Sequence, residues 1–300
     1  MNSLDFPVSI HKNSPRLDRQ ILRWAETWLK NSDGDSDLEI LKRCSVQKLN
    51  WFTCYLFPQL ENSRLYPIGE LFFCLFILDD LLDLMEIEEA ENFLSEMSTD
   101  KLELNSSLLS SFGLPVDTCY LQVLECFPEK VWKEEFRNIW NNYIKGLQWE
   151  SNNRKENRTP TLDEYQTMRP HSSGAYIAIH MLNNAAFDRT DESKGLIIDV
   201  ARYICLSNDL VSSAKESAIG DIHNEVLLLS IEHGFEVAEK IVKGEISYLQ
   251  KKIKNRGLLL RQTSEECKAW VDNLFLLVGG CLFWSWESDR YSESIEQANR

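Results

Sequence analysis

The sequence predicts an all-α fold, and three observations carry that expectation. Only 12 Gly and 8 Pro interrupt 300 residues, long stretches repeat apolar residues at helical spacing, and no alternating apolar and polar run is followed by a turn signal. With 43% hydrophobic residues and 11% aromatics, the chain can bury a sizeable core. Polar breaks fall at 32–37, 98–107, 151–161 and 187–193, each short enough to be a connection rather than a domain linker. The expectation is one domain over residues 1–300, a bundle of about ten helices.

The first long periodic segment is RLDRQILRWAETWLK (16–30). The next, LFFCLFILDDLLD (71–83), ends eight apolar residues with three aspartates in five positions. On a helix Asp79 and Asp83 are one turn apart, about 6 Å, so their carboxylates share a face and can meet one hard cation. Asp80 points a quarter turn away and is expected behind that pair. Above Asp79 on the same face stand Phe76, Leu75 and Phe72, an apolar wall with the carboxylates at its rim. The motif is short, and a helix that simply surfaces at its C-terminal end would read the same way.

Further along, VWKEEFRNIWNNYIKGLQWE (131–150) and FEVAEKIVKGEISYLQKKIKN (235–255) are again helical in period. Between them lies RYICLSNDLVSSAKE (202–216), where Asn208, Ser212 and Glu216 fall at i, i+4 and i+8 down one face. An amide oxygen, a hydroxyl and a carboxylate are hard donors, suited to Mg²⁺ and poorly suited to zinc or copper. Lys215 beside them could meet a phosphate oxygen. The alternative is that Asn208 and Asp209 cap a helix whose remaining polar residues face water.

Charge and cysteine usage narrow the partners. A formal charge of −15 argues against nucleic acid and anionic membranes as primary partners. The eight cysteines contain no CxxC pair and several sit in apolar runs, which reads as reduced, structural thiols. The N-terminal residues lack the basic and apolar blocks of a signal peptide, and no apolar stretch reaches the roughly 18 residues of a span. No membrane insertion and a cytoplasmic location are expected.

Taken together, DDLLD and NDLVSSAKE resemble the paired metal motifs, DDxxD and NDxx(S/T)xx(K/R)E, of class I terpene synthases of the microbial single-domain type. Two further segments resemble that family in the same order. EYQTMRPHSSG (164–174) is similar to the segment with the diphosphate-sensing arginine, here Arg169, followed by a helix break at Ser172, Ser173 or Gly174. SDRY (288–291) is similar to the C-terminal Arg-Tyr pair, here Arg290 and Tyr291.

The resemblance implies a helical bundle around a central apolar active-site cavity and a Mg²⁺-dependent cyclase acting on a prenyl diphosphate. The expected substrate is farnesyl diphosphate, with geranylgeranyl diphosphate as the alternative, and the product a sesquiterpene or diterpene. Three Mg²⁺ ions, replaceable by Mn²⁺, would be held by Asp79, Asp83, Asn208, Ser212 and Glu216. Arg169, Lys215, Arg290 and the Tyr291 hydroxyl would clasp the diphosphate, the two arginines serving it rather than a structural carboxylate. Such ions would let an acidic protein bind a polyanion.

The carbocation left behind would face aromatic rings, each worth about 0.5–2 kcal/mol. Phe72, Phe76 and Trp284 are the candidates, Trp284 lying seven residues before Tyr291 on the same helical face; plain core packing is the competing role for each. Assembly as a homodimer is compatible with all of this. Two rival readings are a chain-elongating prenyl diphosphate synthase, which would carry a second aspartate-rich motif where NDLVSSAKE stands, and a non-catalytic helical protein that binds prenyl lipids or proteins.

Overall fold

Side-chain caps fix where four of the helices begin. At Thr161 the cap is reciprocal: its hydroxyl accepts from the Glu164 N–H, while the Glu164 carboxylate accepts from the Thr161 N–H at 2.8 Å. Thr190, Asn224 and Ser264 open three later helices by accepting from backbone N–H groups two or three residues on. The computed structural model describes residues 6–29, 43–82, 85–99, 115–183 and 190–288.

Twelve helices are delineated among the described residues: α1 (Ser14–Leu29), α2 (Leu49–Leu56), α3 (Asn62–Leu82), α4 (Ile87–Glu96), α5 (Val116–Cys126), α6 (Lys130–Lys155), α7 (Leu162–Ser172), α8 (Ala175–His180), α9 (Asp191–Ile219), α10 (Glu225–His233), α11 (Phe235–Leu260) and α12 (Glu265–Glu287). No strand occurs among those residues. The excess over ten comes from short pieces such as α8 and α10, of 6 and 9 residues, whose length is below what a periodicity window resolves. Two expected breaks start or end inside helices. α6 runs on to Lys155 because Ser151 and Asn153 are buried, the Asn153 amide meeting the His223 ring at 3.2 Å, and α9 already begins at Asp191. The break at 32–37 lies outside the described residues.

Two buried clusters form the core. One packs α1 to α6 around Leu17, Phe73, Tyr120, Phe136 and Trp140; the other packs α9, α11 and α12 around Leu196, Val242, Ile253, Trp270 and Leu274. Leu182 and Ile204 touch both and join them. α3 is buried on nearly every face, as a central helix must be when its apolar residues do not segregate to one stripe.

α12 is the one helix among the described residues long and apolar enough to cross a membrane by length and composition, which the sequence reading missed. Its most apolar window is 56% buried inside the protein. A Cβ on Gly279 or Gly280 would stand 2.1 Å from the backbone oxygen of Pro7 or Tyr55, so these glycines let α12 seat directly on neighbouring backbone. The helix is apolar because it is core. It ends at Glu287, with Ser288 extended at φ −84°, ψ 144°, so the continuous helical face drawn from Trp284 to Tyr291 does not exist.

Candidate active site

α2, α3, α6, α9 and α12, with the α7–α8 junction, line a cavity that presents both aromatic rings and charged side chains. Among the rings, Phe76 of α3, Trp284 of α12 and Phe52 of α2 pack mutually, with ring centroids 5.1 Å (Phe52–Phe76), 4.8 Å (Phe52–Trp284) and 5.2 Å (Phe76–Trp284) apart. All three line the cavity, as does Phe72, 5.8 Å from Phe52. The Trp284 indole N–H donates to the Lys48 carbonyl at 2.9 Å, which fixes the ring's orientation.

Asp79 of α3 and Asn208, Lys215 and Glu216 of α9 line the same cavity. Asn208 and Asp209 lie in the middle of α9, so they do not cap it. Ser212 shares the face of Asn208 and Glu216 but is buried beneath it, donating to the Asn208 carbonyl at 2.9 Å and accepting from the Asn224 amide at 3.3 Å. Asp80 is turned from the cavity into an ion pair with Arg43 at 3.0 Å, as its quarter-turn offset requires. Asp83, Arg290 and Tyr291 lie outside the described residues.

Arg169 departs from expectation. Its Nη2 donates to the Asn208 amide oxygen at 2.9 Å, and its Nε donates to Asp209 at 3.2 Å. Asp209 is fully buried and also accepts from the Tyr165 hydroxyl at 2.7 Å and the Glu225 N–H at 3.1 Å. Arg169 therefore does have a structural carboxylate, because α7 packs its last turn against the middle of α9 and a buried aspartate there must be paired. The guanidinium still lines the cavity. Gly174, at φ 72°, breaks the chain between α7 and α8 in the left-handed region where a Cβ costs about 1–2 kcal/mol. Ser172, Ser173 and Gly174 all line the cavity, with the Ser172 hydroxyl donating to Glu150 at 2.5 Å.

The donors on α9 and α3 fit a hard divalent cation. They are all oxygens, and burial pushes the Glu216 carboxyl up to about 7 even with the Asn224 amide donating to it at 2.7 Å, so its ionised form calls for a cation on the cavity side. No group of three His, Cys, Asp or Glu side chains among the described residues could hold a metal by itself. The described part of the set pairs the carboxylates of Asp79 and Glu216 with an amide and a hydroxyl, and Asp83 lies outside the described residues.

Several residues of the site escaped the sequence reading. Tyr143, Leu147, Glu150 and Arg154 line the cavity from α6 at i, i+4, i+7 and i+11; that spacing was a legible signal within a segment already read as helical. Phe52 carried no signal, since α2 is a short apolar run with no polar motif. Nor did Asn224, which is fully buried, caps α10 through its amide oxygen and donates through its amide nitrogen to the Asp209 carbonyl, Ser212 and Glu216.

Comparison with known proteins identifies the fold and the family. The linalool/nerolidol synthase of Streptomyces clavuligerus superposes with a TM-score of 0.79 over 93% of this chain and 98% of its own, at 14% identity, and a cucumene synthase variant with 0.78 at 17% identity. These likenesses establish the fold. A 4-epi-cubebol synthase of Streptosporangium roseum, named as cyclising (2E,6E)-farnesyl diphosphate, is 23% identical over 98% of this chain and 92% of that protein. A germacrene A synthase of Nostoc punctiforme is 24% identical over 95% of this chain and 93% of its length. The family model described as terpene synthase family 2, C-terminal metal binding, matches residues 70–248, the stretch that brings Asp79, Arg169 and the α9 donors to one cavity. The chain belongs to the terpene synthase family.

Proposed function

We propose that this enzyme is a Mg²⁺-dependent sesquiterpene cyclase that ionises farnesyl diphosphate, cyclises the resulting allylic cation and releases diphosphate. The observation that carries the reading is the lining of a single cavity, which combines oxygen donors and cations with three mutually packed aromatic rings. The named activities of the relatives, all cyclases or synthases of terpenes, support the chemistry, and the farnesyl substrate of the cubebol synthase supports the chain length.

In this reading Asp79, Asp83, Asn208, Ser212 and Glu216 hold the metal cluster, three ions by family resemblance and with Mn²⁺ as a substitute. Bound there, Mg²⁺ would act as a Lewis acid that neutralises the departing diphosphate. Lys215, Arg169, Arg290 and Tyr291 hold its oxygens. The carbon–oxygen bond breaks with its electron pair leaving on diphosphate. Phe76, Trp284, Phe72 and Phe52 then offer their faces to the cation, and Leu56, Leu75 and Leu277 keep water away from it. Arg169 orients Asn208 while it waits, since one guanidinium bridges Asn208 and Asp209.

The reading extends to a single domain over residues 1–300, supported by the two cores joined through Leu182 and Ile204, to a cytosolic enzyme, supported by eight free thiols, and to a homodimer. Incubation with ten-, fifteen- and twenty-carbon prenyl diphosphates, followed by gas chromatography and a diphosphate assay, tests it. The fifteen-carbon substrate should give cyclic hydrocarbons, and excess chelator should stop turnover. Asn208→Ala and Glu216→Ala should each lower turnover by at least about 100-fold, because each removes an oxygen that faces the leaving group. Full activity in chelator, or a longer linear diphosphate made on adding isopentenyl diphosphate, would overturn the assignment.

A further inference from the structure

The exposed face of α11 has features that the single chain does not explain. Seven large apolar side chains between residues 231 and 259 are open to solvent, among them Ile231 at 71%, Val237 at 46%, Ile241 at 40%, Tyr248 at 63% and Leu258 at 52%. Val237, Ile241, Gly244, Tyr248, Lys251, Asn255 and Leu258 follow spacings of 4, 3, 4, 3, 4 and 3 along one stripe. That 3.5-residue repeat is the seam of helices crossing at about 20°.

Gly244 stands in the middle of this stripe. Among the glycines of the described residues, Gly174, Gly220 and Gly234 have positive φ, and Gly69, Gly146, Gly195, Gly257, Gly279 and Gly280 each have an atom within 3 Å of where a Cβ would lie. Gly244 has neither a positive φ nor any atom within 4 Å. A glycine inside an exposed helix costs about 1 kcal/mol against alanine, and nothing in the single chain offsets that. Close approach of another backbone would.

Charge then selects the direction. The N-terminal side of the stripe carries exposed Glu232, Glu236 and Lys240, whereas the C-terminal side carries exposed Lys251; half-buried Lys252 pairs with Asp199 at 2.8 Å and half-buried Lys254 lies over the Phe6 ring. A parallel pair would set Glu236 against Glu236 and Lys251 against Lys251. An antiparallel pair crossing at Gly244 sets Glu236 opposite residues 251 and 252 of a second copy, lays the Lys251 stem over Val237, and puts Tyr248 beside Ile241 and the gap at Gly244. We propose that the exposed face of α11 is a two-fold interface with a second copy of this chain, antiparallel and centred on Gly244. The proposal rests on the homodimer reading and adds the surface that makes it.

Two bodies of −15 repel at long range, but at 0.15 M salt the Debye length is about 8 Å, so only charges near the seam count. One helix pair with its flanks is at the small end of stable interfaces, so association should be in the micromolar range. Sedimentation velocity in 0.15 M salt, from about 1 to about 100 µM, should show the mass rise from 34.9 kDa toward twice that value. Tyr248→Glu, Ile241→Glu and Gly244→Ala should each weaken association at least about 10-fold while far-UV circular dichroism and turnover stay as in the parent. Glu236→Lys and Lys251→Glu should each weaken it, and the double reversal should restore it. A parent that stays at 34.9 kDa throughout overturns both the interface and the homodimer. A parent dimer that survives these substitutions, with Gly244→Ala merely raising the melting temperature, overturns this interface and leaves the homodimer standing.

Discussion

Arg169 links fold and site through one guanidinium, which satisfies a fully buried carboxylate on one side and steadies a cavity amide on the other. Removing it would leave Asp209 buried with a charge and only the Tyr165 and Glu225 donors. Arg169→Ala should therefore lower the stability of the protein without ligand by about 3–5 kcal/mol in urea titrations, and adding Asp209→Asn should recover part of it. A variant as stable as the parent would show that Asp209 does not need the arginine. Glu70 offers a second test of burial, away from the chemistry. Desolvation raises its carboxyl to about 7 from about 4.5, so between those values the folded chain binds the proton more tightly than the unfolded one, and stability falls as pH rises through that window. Glu70→Gln keeps the shape and removes the charge. It should match the parent below pH 4.5 and exceed it above pH 7, by on the order of 1 kcal/mol once the half-open position of the side chain is allowed for. Equal denaturation midpoints at pH 8 would show that the side chain stays solvated.

At the scale of elements, the aromatic trio of the cavity forms where α2, α3 and α12 converge, and each helix contributes one ring to it. Phe76 was legible from sequence because it stands three residues before Asp79 on one helical face, a local relation. Trp284 was found, though partly through a helical face that the extended Ser288 interrupts. Phe52 was not, since its proximity depends on α12 seating through Gly280 on the Tyr55 oxygen one turn along α2, a contact between residues more than two hundred positions apart. The role of Asn224 and the buried pairing of Asp209 were not legible for the same reason: their partners come from other helices or from the turn between α9 and α10. The trio gives a matched test. Phe76→Leu and Phe52→Leu each remove a π-face while keeping an apolar side chain, at a stability cost of order 1 kcal/mol. If the rings face the cation, both should shift the product ratio toward acyclic or alcohol products quenched early by water. An unchanged product spectrum with a lowered melting temperature would make the trio plain core.

The molecule as a whole poses an electrostatic problem that the site must solve at each turnover. With a net charge of −15 and Asp79, Glu150, Glu216 and Asp221 among the groups lining the cavity, the protein should repel a free diphosphate, because Arg154, Arg169 and Lys215 do not outnumber those carboxylates. A divalent cation alone meets the oxygen donors but brings none of the phosphate oxygens that the cationic side chains would bind. Each ligand supplies what the other lacks, so binding should be cooperative, and the coupling should appear as stability, since whatever binds only the folded chain raises its melting temperature by mass action. Thermal unfolding with inorganic diphosphate alone should match the ligand-free protein, Mg²⁺ alone should add little, and the two together should raise the midpoint by several degrees, corresponding to about 2.7 kcal/mol at 100 times the dissociation constant. Glu216→Ala should abolish the joint effect while keeping a ligand-free midpoint near that of the parent or higher, because its removal relieves a carboxylate that burial already pushes up to about 7. A full shift with diphosphate in excess chelator would mean that the arginines and lysine bind it unaided, and the cavity's acidic residues would then need another role.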